Sequence, residues 1–311
     1  MQSVTPGPLN NLNDMTPVHP YRSNSSTNFW KRKPLIHLFL ICLSLAFLLP
    51  TWMIISASLT DEKALVKNGY SLIPSVFSTY AYEYIFAYPV QLIRAYGVTL
   101  FVTITGTIIA LLVMSMFAFT LTRPEYKLRK VLSFFLYFTM LFNGGLVAYY
   151  VLVTNYLHLK NTLLVLIMPL VGVPFYVFML RSYFMSLPTE LYDAARVDGA
   201  SEFRLFYEIV LPLSKPALAT IGLFLVLSYW NDYLTAMYFI SSSKLYPLQY
   251  MLYAINTNAS EIARNPALAN QPVPLQPVRM AMAVLATGPA AIAFLAVQKY
   301  LVRGLTIGAI R

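Results

Sequence analysis

Two polar clusters in an otherwise apolar chain have residue types suited to chemistry. The first runs from Glu190 through Asp193-Ala194-Ala195, Asp198-Gly199 and Glu202 to Ile209-Val210-Leu211-Pro212. Its acids have no Ser/His/Asp set beside them. His19, His37 and His158 are scattered without metal spacing, so no metal site is expected. Charge pairing with another surface is the chemistry such acids offer. Glu190, Asp193 and Asp198 fit that role, and Glu202 fits simple solvation better. The second cluster is Tyr229-Trp230-Asn231-Asp232-Tyr233. Aromatic faces and side-chain amides suit a sugar, whose C–H groups stack and whose hydroxyls hydrogen-bond. An interfacial aromatic belt with a helix-packing Asp–Asn pair reads the same residues equally well.

The elements that hold these clusters follow from composition and spacing. Hydrophobic residues make up 58% of the 311 and charged residues 11%, where a soluble domain has about a quarter charged. A helix needs roughly 20 apolar residues to cross a bilayer. Six stretches qualify: 35–58, 95–121, 131–152, 162–183, 213–240 and 281–302. No ten-residue alternation suggests a barrel, so the spans are expected to be helices. The first cluster lies between the fourth and fifth. It is too polar to cross lipid and reads as a short helix, a glycine break and a second short helix. Gly199 permits the positive φ that ends the first. Pro212 suits the first turn of the next span, where a missing N–H costs nothing. Ala194 and Ala195 are small enough for a partner to approach closely. The second cluster lies well inside the fifth stretch. Trp230 sits about 100° around the helix from its neighbours and faces lipid or another helix.

Orientation follows from the Lys and Arg bias. With alternating spans, fifteen fall on the side holding both termini and residues 190–212, and seven on the other. The termini and the first cluster are therefore expected in the cytoplasm. The net charge of +10 is this bias, with no basic stretch for nucleic acid. Residues 31–58 imitate a secretory leader, but their apolar run is too long for one, so a retained first span is expected. Cys42 lies in that span and reads as a small apolar residue. Met168-Pro169, Gly172 and Pro174 either kink the fourth span or allow close packing. Residues 241–280 read as a long, Pro-rich loop that meets a partner outside or forms a passive lid.

The spacing Asp193-Ala194-Ala195, three residues, Gly199, nine residues, Ile209-x-Leu211-Pro212 fixes seven positions over twenty. It resembles the EAA signature of permease subunits of type I, binding-protein-dependent ABC importers, with Asp at the usual Glu position. Leu141-Phe-Asn143-Gly144-Gly145 with its apolar continuation, and Val302-Arg303-Gly304-Leu305-Thr306-Ile307, are similar to the oligosaccharide branch. Within it, the chain looks closest to permeases for pectin, aldouronate or alginate fragments.

The resemblance covers residues 95–311 and implies an all-α fold of six transmembrane helices. It implies a mobile tail over 1–34, an extra span and outer loop over 35–94, and a permease core over 95–311. In that core, coupling helices occupy about 188–212 and a tail occupies 303–311. It assigns ATPase coupling to Glu190, Asp193, Ala194, Ala195, Asp198, Gly199, Ile209, Leu211 and Pro212. The implied partners are a second homologous permease, two ATP-binding subunits, a solute-binding protein outside, an oligosaccharide and membrane lipid. No phosphate-loop motif is present, so ATP and Mg are expected in the partner subunits, with no cofactor in this chain. The alternative reading is a secondary sugar carrier or channel without an ATPase. Such carriers often show inverted repeats and paired intramembrane charges, and neither is evident.

Overall fold

The computed structural model describes residues 34–87, 89–264 and 275–307. Residues 1–33 of the expected tail over 1–34, residues 265–274 of the expected loop, and residues 308–311 lie outside them. Among the described residues the structure is helical, apart from one isolated bridge between Thr60 and Phe77. In chain order the helices are α1 (Pro34–Ser58), α2 (Glu62–Asn68), α3 (Tyr80–Phe86), α4 (Pro89–Thr122) and α5 (Arg129–Leu141). Next come α6 (Gly145–Val151), α7 (Leu163–Ile167), α8 (Pro174–Met185), α9 (Thr189–Val197) and α10 (Glu202–Arg204). The last are α11 (Leu211–Leu213), α12 (Lys215–Asn231), α13 (Leu234–Phe239), α14 (Leu248–Arg264) and α15 (Leu275–Ile307).

The chain divides between Thr51 and Trp52 into two units. In the first, α1 exposes Leu38, Phe39, Leu40 and Ile41, four successive residues that point to all sides, as a helix surrounded by apolar material does. Ser44 satisfies its hydroxyl within the helix, donating to the Leu40 carbonyl at 2.8 Å.

In the second unit α4 is the spine, with α8 and α12 packed along it and α15 on α12. Its buried positions recur every three or four residues: Ala95, Thr99, Val102, Gly106, Ala110, Met114 and Ala118. Small residues in this row let neighbouring backbones approach closely. Two helix starts are capped from a distance. Thr99 Oγ1 accepts the Leu248 N–H at 2.8 Å at the start of α14. Glu62 Oε2 accepts the Gln276 N–H at 3.0 Å in the first turn of α15. Burial raises the Glu62 carboxyl above its usual range, and the Gln276 bond works against that rise. Removing this acceptor by Glu62→Ala is expected to cost about 1 kcal/mol, the worth of a helix cap. Glu62→Gln keeps an oxygen there and should cost less. Thermal unfolding of the purified protein in detergent checks this; equal melting of the alanine and glutamine variants would refute it.

Three expected continuous spans are interrupted, two of them by a bend. Residues 131–152 form α5 and α6, and the bent pair turns through 117°. Asn143 Oδ1 accepts the Gly145 N–H at 2.8 Å, and Gly145 holds φ +85°, which an L side chain adopts only with strain. Residues 162–183 bend by 49° between α7, extended by a 3-10 turn over Met168–Leu170, and α8. A Cβ on Gly172 would meet nothing within 4 Å, so close packing does not require a glycine there. The stretch 213–240 is α12 and α13, separated at Asp232 and Tyr233. Two helices, Ile36–Ser58 and Pro89–Thr122, are long and apolar enough to cross a membrane unbroken, and three bent pairs pass jointly. The sixth stretch, 281–302, lies inside α15, which runs on into the expected tail as far as Ile307. Residues 241–280 are not all loop, because they contain the 17-residue α14.

Candidate functional site

The first polar cluster folds as two short helices around a glycine turn. The α9 helix ends where Gly199 takes φ +76°. The Ala200 N–H then bonds the Ala195 carbonyl at 2.9 Å, and the Gly199 N–H the Arg196 carbonyl at 3.0 Å. This pair of bonds closes a Schellman turn and satisfies two orphan carbonyls. Ser201 Oγ accepts the Arg204 N–H at 3.3 Å and starts the second helix. That helix continues from α10 through a π-helical stretch, Leu205–Val210, into α11. Pro212 therefore lies at the end of this helix and not in the next span. The chain bends by 79° at Ser214, and Pro216 takes the first turn of α12. Pro212 has no N–H for the Glu208 carbonyl, and the wide π stretch stands immediately before it.

One face of the pair is buried. Tyr192 packs inward and its hydroxyl donates to the Phe184 carbonyl at 3.3 Å. Leu205, Phe206 and Val210 are buried, and Phe206 meets Phe119 of α4 at 5.3 Å between ring centroids. Ala195, Ile209 and Leu211 are half-buried against the same core. The other face carries Glu190, Asp193, Ala194, Asp198 and Gly199, all exposed. Val197 (88% exposed) and Phe203 (63%) join them. Sequence reading passed over these two. The signal was there: they are apolar side chains in a segment too polar for lipid.

Glu202 is not simply solvated. Its Oε1 accepts from Arg196 at 2.9 Å, and its Oε2 lies 3.1 Å from Arg123 Nε. Arg196 also reaches Glu125 at 3.0 Å. The Arg123 guanidinium is sandwiched 4.0 Å above the Phe119 ring and 4.5 Å from the Tyr192 ring. Burial pulls it below its usual range, and Glu202 pulls it back. The bond to Glu202 raises Arg196 further.

The second cluster divides in two. Tyr229 is buried, with its ring over Gly106 and its hydroxyl donating to the Ile167 carbonyl at 2.7 Å. That carbonyl lies where α7 gives way to the 3-10 turn. Trp230 points away from Tyr229 toward another helix, donating from Nε1 to the Ala286 carbonyl of α15 at 3.0 Å. Asn231 is exposed and its Oδ1 accepts from Gln249 at 3.4 Å. Asp232 ends α12 and accepts the Thr235 N–H at 3.1 Å, which starts α13. Its carboxylate is thus engaged by backbone at a helix break. Tyr233 stacks on Tyr253 of α14 at 5.2 Å, and Tyr250 lies 6.1 Å further on.

The family model for "Binding-protein-dependent transport system inner membrane component" matches residues 112–307. The chain is 34% identical to the Bacillus subtilis polygalacturonan/rhamnogalacturonan transport system permease protein YtcP, over 89% of this chain and 97% of that one. It is 34% identical to Bacillus subtilis protein LplC, over 85% and 89%. It is 29% identical to the arabinooligosaccharides transport system permease protein AraQ of Halalkalibacterium halodurans, over 84% and 90%. The fold is similar to a chain in the crystal structure of a bacterial ABC transporter involved in the import of the acidic polysaccharide alginate. That likeness has a TM-score of 0.75 at 29% identity and covers 90% of this chain and 99% of that one. By the family match, the relatives and the shared fold, this chain belongs to the binding-protein-dependent transport system inner membrane components, the permease subunits of ABC importers.

Proposed function

We propose that the chain forms half of a path for an oligosaccharide across a bacterial inner membrane, driven by ATP hydrolysis in partner subunits. The carrying observation is the exposed face of α9 and the Gly199 turn, with its acids, the small Ala194 and the uncovered Val197 and Phe203. In this reading that face docks on an ATP-hydrolysing subunit. Glu190, Asp193 and Asp198 offer charge, Ala194 and Ala195 allow close approach, and Gly199 sets the angle of the turn. Ile209, Leu211 and Pro212 hold the second helix to the core. ATP and Mg bind in two partner ATPases, and a second permease and a solute-binding protein complete the importer. Both termini and residues 188–212 face the cytoplasm, and six membrane passes carry the chain, three of them interrupted. Coupling requires that the docked face make different contacts in the two nucleotide states.

The path is lined by Asn231, Asp232 and Tyr233 at the helix break, with Tyr229 and Trp230 supporting them from behind. The Tyr233, Tyr253 and Tyr250 rings offer stacking faces to a sugar. The relatives named for polygalacturonan and alginate favour an acidic oligosaccharide. Uptake of trigalacturonate, an alginate trimer and maltotriose into vesicles holding the whole complex tests this reading. ATP-dependent uptake of at least one uronate oligomer is expected. Uptake without ATP would point to a carrier instead. Sidedness is checked with single cysteines at Ser201 and Ser242 in sealed cells, where only Ser242→Cys should react from outside.

A further inference from the structure

Four charged side chains join three pieces of backbone beside the docking face. Arg123 follows the last residue of α4 and contacts both short helices. Its guanidinium stacks on Tyr192 of α9 and pairs with Glu202 of α10. Arg196 of α9 closes the set through Glu202 and through Glu125. The Arg123 side chain keeps only 12% of its surface exposed, against 52% for Glu202 and 60% for Glu125. Packing alone does not close this junction. A pocket of about 320 Å³ lies here, lined by Phe119, Thr120, Arg123, Glu125, Tyr126 and Glu202. Farther along, Phe206 and Leu205 fix the second helix by ordinary burial. At the glycine turn a Cβ on Gly199 would meet nothing within 4 Å, and the half-buried Ala200 is the residue that touches the core.

We propose that Arg123 is a positioning residue that latches the two short helices to the end of α4, so that displacement of the docking face moves α4 with it. The inference rests on the reading of this face as the ATPase contact. A push on α9 and the turn must reach the membrane helices. Residues 198–201 alone are a poor lever, because one left-handed glycine sets their geometry. The latch supplies a second, direct route from α9 and α10 into the spine of the core. Exposed ion pairs contribute little to stability. A buried arginine held between two rings beside a carboxylate fixes geometry through stacking and charge, although its Nε and one Nη make no hydrogen bond.

The test uses the full transporter complex purified through this chain with its partner subunits, in a Cys42→Ser background. Spin labels on Lys127→Cys and Thr189→Cys report the distance from the loop after α4 to the start of α9. It is measured without nucleotide and after trapping with ATP and vanadate. One distance population is expected in both states, with any second population below about 10%. Arg123→Gln should make a second population the larger one in the trapped state. Arg123→Lys, which keeps the charge, should return most molecules to the first. An unchanged distribution in Arg123→Gln would overturn the latch, as would a wild-type distance that shifts between states. Loss of the complex in both Arg123 variants would make Arg123 an ordinary folding residue and overturn it equally. The coupling reading fails separately, if no ATP-hydrolysing subunit co-purifies. With that subunit present and active, an unmoved Arg123→Gln distribution removes only the latch.

Discussion

Gly106→Ala should destabilise the folded subunit by about 1–3 kcal/mol, the range for overpacking a filled core. A Cβ at this position would stand 2.6 Å from Cζ of Tyr229 and 2.9 Å from both Cε atoms. The ring is not free to yield, because its hydroxyl is tied to the Ile167 carbonyl in a buried site. Moving it breaks that bond. Tyr229→Phe leaves the ring in place and removes only the hydroxyl and its bond to the Ile167 carbonyl, a loss of about 0.5–1.5 kcal/mol. The double variant should cost little more than the worse single one, since the two changes destroy the same contact. Melting of the detergent-purified complex, with yield recorded beside it, checks all three. Fully additive losses would show that Gly106 and Tyr229 do not act through this contact. Half-saturation for the sugar should not move with Tyr229→Phe, which distinguishes a supporting residue from a path contact.

Ala195→Arg should leave the subunit inserted and cut ATP-driven uptake by about tenfold or more, the scale of a lost coupling free energy. Ala195 is half-buried at the junction of α9 with the core, beside the exposed Ala194. A long charged side chain there has to emerge on the docking side and hold a partner off. Asp193→Glu keeps the charge and shifts it by one methylene on an exposed position, so near-normal uptake is expected. The measurement is uptake together with ATP hydrolysis in the same vesicles. Normal uptake in Ala195→Arg would remove the docking assignment.

The helical, membrane-type character and the helix–glycine–helix turn were readable because each rests on local rules. Apolar run length specifies a candidate span, and Gly199 takes the positive φ expected of it. The bends were harder. Asn143-Gly144-Gly145 and Pro216 sit inside runs whose apolar content argues for continuity. The side chain of Asn143 caps its own break, which hydropathy does not register. Pro212 was assigned to the wrong side of a turn, because proline fits the first turn of a helix and also a π-distorted last turn. The surroundings of Glu202 and Asp232 were hidden for a different reason. Their partners, Arg123 and the Thr235 N–H, are set by how α4 meets the short helices and by a break invisible in composition. The role of Tyr229 depends on a glycine more than a hundred positions away and on a carbonyl at a distant change of helix type. Long-range packing of this kind leaves no periodic trace in one sequence.

The central claim is that the α9 face docks on an ATP-hydrolysing subunit, and Val197 tests it most directly. Its side chain is 88% exposed on that face, and a single cysteine there is accessible to a short bifunctional crosslinker. In a Cys42→Ser background, Val197→Cys in the assembled complex should crosslink to the ATP-hydrolysing subunit. The yield should change between the nucleotide-free and vanadate-trapped states. The account is contradicted if Val197→Cys stays open to a small water-soluble thiol reagent and never crosslinks while the complex remains intact and hydrolyses ATP.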